Sequence, residues 1–208
     1  MNFAAVPLDK TRQLILGSTS RYRRELLERL GIPFKVAAPD VDETPLPQEA
    51  PRVLAERLAL AKAKAVAAQF PQAVVIGSDQ VADLNGQSLG KPGTQERAVA
   101  QLRQMRGQTV IFQTAVAVVC QESGFEQISR ATVKVTFRDL TDDEIENYLQ
   151  LEKPYDCAGS AKSEGLGIAL LASIDSDDPT ALIGLPLIRT CEMLRAAGIE
   201  LLSGKATS

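Results

Sequence analysis

The sequence predicts an α/β protein with a mixed central sheet flanked by helices. Three observations carry this. Short apolar strands alternate with helical patterns through the first half of the chain, as in β-α units. Two turn signals, Asn85-Gly86 and Ser123-Gly124, break those crossovers and call for antiparallel pairing. No G-x-G-x-x-G follows the first strand, so a purely parallel dinucleotide-binding sheet fits badly.

The elements follow in order. Gln13 to Leu16 is a short apolar strand. Gly17-Ser18-Thr19-Ser20 turns into a helix from Arg21 to Leu30, which Ser18 or Ser20 can cap and Gly31 can stop. Ile32 to Ala38 returns as a strand, and Asp40 to Ala50 is a loop rich in proline and acid. Pro51 opens a second helix at the position where its missing N–H costs nothing. Leu54, Leu58, Ala61 and Ala65 recur along it at helical spacing. Ala73 to Gly77 is wholly apolar, as expected at a sheet centre, with Ser78-Asp79-Gln80 at its end. Val81 to Leu84 and Gln87 to Leu89 form a hairpin about Asn85-Gly86. Gln95 to Arg106 is a third helix, capped by Thr94 and stopped by Gly107. Thr109 to Cys120 and Gln127 to Phe137 are two long strands. Thr141 and Glu144 form a capping box for a fourth helix. Gly167 to Ile174 is a further strand, and Pro186 to Ala197 is the last helix.

Hydrophobic residues at 45% and charged residues at 24% exclude a disordered tail or a coiled coil. No repeat, linker or composition break divides the chain, so it reads as one domain over residues 1–208, with 1–12 as a loose N-terminal extension. There is no histidine, which rules out Ser-His-Asp and Cys-His nucleophiles and His-ligated zinc or haem. A metal must then be held by oxygen, which favours Mg²⁺ or Mn²⁺. A net charge of −3 with no basic run argues against a nucleic-acid partner. No apolar run approaches a membrane span. Cys120, Cys157 and Cys191 form no C-x-x-C pair and read as small core residues of a reduced, cytoplasmic protein.

Five polar segments sit at the ends of apolar elements. The hydroxyls of Ser18 and Ser20 at a helix start, with Arg23 and Arg24, suit an anion. Asp40-Val41-Asp42-Glu43 offers carboxylates for a hard cation. Asp79, after a buried strand, can ligate a metal or take a proton from water. Lys91, between Gly90 and Pro92, stands on stiff backbone as a point charge for phosphate. In Ala158 to Gly165, small residues allow close backbone approach, and extended chain would put Lys162 and Glu164 on one face. Each segment alone also reads as a capped helix, a solvated turn or a flexible loop, a reading that is weakest at Asp79 because the strand before it is wholly apolar. Together they supply the parts that phosphoanhydride hydrolysis needs. Phosphate binding without hydrolysis uses the same parts.

These segments resemble the Maf-like nucleotide pyrophosphatases over about Leu14 to Gly198. The resemblance rests on L-I-L-G-S-T-S-R-Y-R-R-E-L-L, D-V-D-E-T, V-V-I-G-S-D-Q-V, G-K-P, C-A-G-S-A-K-S-E-G-L-G-I and I-G-L-P-L in that order. Gln80 and Glu164 resemble the branch that hydrolyses 7-methyl-GTP; the dTTP/UTP branch usually carries Ala-Asp-Thr and a glutamine there. One departure is Arg21, where the family commonly has proline.

The resemblance implies an elongated α/β fold like that of inosine triphosphatases, often a homodimer, cleaving between the α and β phosphates with a divalent cation. It implies Asp79 as proton acceptor and Tyr22, Gln80 and Glu164 as specificity positions. Arg23, Arg24, Lys62 and Lys91 would surround the phosphates, with Ser18, Ser20 and Lys162 beside them. Asp42, Glu43 and Asp79 would hold the metal. A 7-methylguanine ring is cationic near neutral pH, so Glu164 and Tyr22 would read its charge and Gln80 a base edge. The competing readings are a dTTP or UTP pyrophosphatase and a non-catalytic nucleotide-binding regulator of septum formation.

Overall fold

A computed structural model describes residues 12–202. The expected loose extension lies outside them except for Arg12, which pairs with Glu122 at 2.8 Å. A seven-stranded sheet runs in the order β2-β1-β3-β5-β6-β7, with β4 beside β3. Here β1 is Leu14–Gly17, β2 Lys35–Ala37, β3 Val74–Leu84, β4 Gln87–Leu89, β5 Thr109–Cys120, β6 Phe125–Phe137 and β7 Leu171–Asp175. The pairings β1–β2 and β1–β3 are parallel, and the others are antiparallel. The sheet is therefore mixed, as the β-α units and hairpins require.

Five α-helices cover it: α1 Arg21–Glu28, α2 Pro51–Gln69, α3 Gln95–Met105, α4 Asp142–Glu152 and α5 Leu187–Ala196. Their starts follow local rules. Ser20 accepts from the Arg23 N–H, Thr94 accepts from the Arg97 N–H, and Thr141 with Glu144 forms the reciprocal box. Pro51 opens α2 without a side-chain cap.

Side chains alternate across a strand, so β3 feeds cores on both faces of the sheet. Val75 and Val81 pack with Leu58, Ala59, Ala63 and Val66 of α2 on one face. Val74 and Ile76 pack with Leu26, Leu27 and Leu194 on the other, and Ala82 joins Leu102, Phe112 and Leu149 further along.

Gly77 sets how near α2 comes. A Cβ there would lie 2.3 Å from the Ala59 carbonyl oxygen and 2.5 Å from the Ala63 nitrogen. Both are helix backbone and cannot swing aside. Gly77→Ala should therefore push α2 off the sheet and cost about 3 kcal/mol, a Tm loss of roughly 6–12 °C. A thermal melt with an unchanged midpoint would show that α2 tolerates the shift.

Four expected strands differ. Ala73–Gly77 and Val81–Leu84 are one strand, because β5 pairs continuously along it, Asp79 opposite Ala115 and Gln80 opposite Thr114. Asp79 is thus in mid-strand rather than at a strand end. It still lies just past the parallel half, since β1 stops with Gly17 opposite Gly77. The strand expected from Gly167 begins only at Leu171, because a 3₁₀ turn occupies Leu166–Leu170. The strand expected from Ile32 to Ala38 shortens to β2, the part that β1 can pair.

Candidate active site

Lys62 lies on the buried stripe of α2 between Ala59 and Val66 and is 5% exposed. A lysine rarely stays buried without partners. Its Nζ donates to Asp79 Oδ1 at 2.6 Å and lies 2.7 Å from Glu43 Oε1. Asp79 is 8% exposed, on the α2 face of β3. The close approach at Gly77 brings α2 near enough for this pair to form two residues further on.

Glu43 comes from the β2–α2 loop. Partial burial pushes its carboxyl up, but the Lys62 bond and the charges of Lys91 and Arg23 outweigh this and hold it below the usual range. Lys91 is itself exposed on its Gly-Lys-Pro segment. The loop is pinned by Arg57, which grips Glu49 at 2.6 and 2.9 Å and the Thr44 carbonyl at 3.1 Å. Hydrogen bonds from Arg57 and the Leu46 N–H hold the Glu49 carboxyl at about 2. No pattern in the sequence pointed to this clamp.

Arg23 completes the cluster from the first turn of α1. Its Nε donates to the Gly184 carbonyl at 2.8 Å and its Nη1 to Ser18 Oγ at 3.4 Å. Burial lowers its pKa, while the charges of Asp79 and Glu43 raise it. Ser18 also accepts from the Ser20 N–H, and Ser20 caps α1, so both hydroxyls shape the turn that carries Arg23.

Gln80 points to the opposite face from Asp79, as neighbours in a strand must. Its Nε2 donates to Thr114 Oγ1 at 3.0 Å, the Ala181 carbonyl at 2.9 Å and the Leu182 carbonyl at 3.0 Å. Donation from Gln80 to a base edge does not fit this arrangement, because protein acceptors hold both of its N–H groups.

Tyr22 and Glu164 lie in one neighbourhood. The Tyr22 hydroxyl is 3.9 Å from Cys157 Sγ, and Glu164 is near enough to raise that thiol. Burial is the main cause of its rise to about 11, so Cys157 is no thiolate nucleophile. Cys157 and Cys191 are half-buried, and only Cys120 is in the core as expected. Arg21 lies over the Tyr22 ring at 4.7 Å and donates to its hydroxyl at 2.9 Å.

Several expected residues stand apart. Asp42 accepts from the Thr44 N–H within its own loop, exposed to solvent. It does not join Glu43 and Asp79, and among the described residues no group of three or more acidic or cysteine side chains could hold a metal. Arg24 is exposed and pairs with Glu28. Lys162 pairs with Glu152 at 2.5 Å, and a turn closed by the Gly165 N–H to the Lys162 carbonyl replaces extended chain. Lys162 and Glu164 therefore do not share a strand face. Nothing in the sequence marks the hydroxyl of Thr114 or the carbonyls of Ala181 and Gly184, because only folding brings them to β3.

Comparison with known proteins agrees with this architecture. A family model described as Maf-like protein matches residues 13–197. A 7-methyl-GTP pyrophosphatase of Polaromonas sp. (strain JS666 / ATCC BAA-500) is 77% identical, with 97% of this chain and 93% of that protein aligned. One of Albidiferax ferrireducens is 73% identical over 92% of this chain and 96% of its own. One of Aromatoleum aromaticum is 60% identical over 91% and 97%. With the match running from β1 to the end of α5, the chain belongs to the Maf-like family.

Proposed function

We propose that this chain is a nucleotide pyrophosphatase that converts 7-methyl-GTP to 7-methyl-GMP and pyrophosphate. The observation that carries the chemistry is the convergence of Glu43, Lys62 and Asp79, with Arg23 in their field, beside a sheet that holds them still. The names of the relatives support the choice of substrate.

Asp79 orients the attacking water and takes its proton. The water oxygen forms a bond to the α-phosphorus, and the bond from that phosphorus to the bridging oxygen breaks. Pyrophosphate carries the electron pair away. Lys62, Arg23 and Lys91 bind the phosphate oxygens as fixed cations. Ser18 and Ser20 hold the turn that presents Arg23, while Arg24 and Lys162 stand further out.

The residues present fit a hard divalent cation. Glu43 and Asp79 lie within one hydrogen-bond length of the same ammonium nitrogen, and both offer carboxylate oxygen. Mg²⁺ typically takes one or two carboxylates and completes its shell with phosphates and water. Bound there, the cation would offset charge building on the phosphate oxygens. Asp42 is not part of that pair.

The base falls to Tyr22 and Glu164, which offer an aromatic face and an exposed carboxylate to a cationic ring. Three free thiols and the lack, among the described residues, of a helix able to cross a membrane support a cytoplasmic enzyme.

Pyrophosphate release from 7-methyl-GTP, GTP, dTTP, UTP and CTP, with Mg²⁺, Mn²⁺ or neither, tests the reading. The expected result is a strong preference for 7-methyl-GTP with metal. Turnover of dTTP and UTP instead would overturn the branch, and binding without turnover would favour a regulator. In the same assay Glu164→Gln should cut the ratio of kcat/KM for 7-methyl-GTP over GTP about fivefold, since an exposed charge is worth on the order of 1 kcal/mol. An unchanged ratio would remove Glu164 from base reading.

A further inference from the structure

The loop before α5 is held from below by β3 and β5. The Ala181 carbonyl accepts from Thr114 Oγ1 at 2.9 Å, from Gln80 Nε2 at 2.9 Å and from the Gly184 N–H at 3.0 Å. Thr114 is fully buried, at 0% exposure. The 3₁₀ turn Ala181–Ile183 ends in Gly184, whose φ of 130° is open to glycine and strained for other residues. The Gly184 carbonyl then accepts from Ser78 Oγ at 3.1 Å and from Arg23 Nε at 2.8 Å. A continuous chain of hydrogen bonds thus runs from a buried hydroxyl in mid-sheet, through one turn, to the Arg23 guanidinium, which lies in the field of Asp79 and Glu43.

We infer that Thr114 is a positioning residue for Arg23, acting through the Ala181–Gly184 turn. It does not touch the substrate. Its hydroxyl fixes the Ala181 carbonyl, that carbonyl fixes the Gly184 N–H, and the far side of the same residue aims the guanidinium. Gln80 shares this task from the neighbouring strand. The inference rests on the reading of Arg23 as a phosphate-binding residue.

The test is a double-mutant cycle on the full chain. Thr114→Val removes the donor at nearly constant volume, Thr114→Ser keeps it, and Arg23→Lys removes the Nε that meets Gly184. Thr114→Val is expected to lower kcat/KM about tenfold for 7-methyl-GTP and GTP alike, with Thr114→Ser within about threefold of wild type. Placed on Arg23→Lys, Thr114→Val should cost less than about twofold more. Calorimetric binding of inorganic pyrophosphate is measured through the same cycle, and melting temperatures confirm folding. Equal losses in both backgrounds would overturn the inference, since a merely structural threonine costs the same whatever stands at 23. A wild type that hydrolyses neither nucleotide, yet shows the coupling in pyrophosphate binding, would overturn the substrate and leave the positioning role standing.

Discussion

Asp79→Asn is expected to lower kcat by about 10³-fold or more, while Tm stays within a few degrees. The general base supplies roughly 10²–10⁴ in rate, and 10³ corresponds to about 4 kcal/mol in the barrier. Asparagine has the same shape and keeps an oxygen for Lys62, whose second partner, Glu43, is untouched. The fold should therefore lose little while the proposed proton acceptor is gone. Single-turnover measurement of pyrophosphate release checks this. A variant that keeps a tenth of wild-type kcat has lost only about 1.4 kcal/mol, too little for an essential base.

Lys62→Met is expected to damage both stability and activity. The stem of Lys62 is buried on the stripe of α2 that faces β3, and methionine can fill most of that volume. The ammonium is another matter. Without it Asp79 remains buried beside β3 with its ion-pair partner removed. Breaking a buried pair from one side costs about 3–5 kcal/mol, or roughly 6–20 °C in Tm for a chain of this size. Activity should fall at least about 10²-fold, because the cation that joins Glu43 to Asp79 is also one of those proposed to bind the phosphate oxygens. The double variant Lys62→Met, Asp79→Asn separates the two effects. It should recover most of the lost Tm and none of the activity. If it melts as low as Lys62→Met alone, an unpaired Asp79 carboxylate is not what destabilises the single variant.

Both expectations depend on where β3 lies in the sheet. The parallel pair β1–β3 ends at Gly17 and Gly77, and the antiparallel pair β3–β5 runs on beyond it. Asp79 lies where one neighbour has stopped and the other continues. That leaves the strand rigid and one side of it open to Glu43 from the β2–α2 loop and Arg23 from α1. A carboxylate on a free loop would not be held as firmly against a buried lysine.

Much of this was legible in the residues themselves. Helix starts at Ser20, Thr94 and Thr141 follow from side chains that satisfy nearby N–H groups, and the start at Pro51 from a residue with no N–H to satisfy; such signals act within four residues. Asn85 and Gly86 adopt positive φ, and the hairpin forms there for that reason. The lack of histidine, the mixed order of elements and the ordered motifs point to an α/β phosphoanhydride hydrolase.

The tertiary structure alone decided which of those residues meet. Nothing near Ser78-Asp79-Gln80 says that the strand continues through them; pairing with β5, more than thirty residues away, does. Once the strand is continuous, its period of two sends Asp79 to Lys62 and Gln80 to Thr114 and Ala181, on opposite faces. Asp42 and Glu43 are adjacent, yet only Glu43 reaches Lys62, because Asp42 satisfies the Thr44 N–H instead. Capping and turn preferences are local energies that a sequence writes out directly. Partner choice among buried charges is settled by which backbone segments can pack together, here α2 against a glycine in β3.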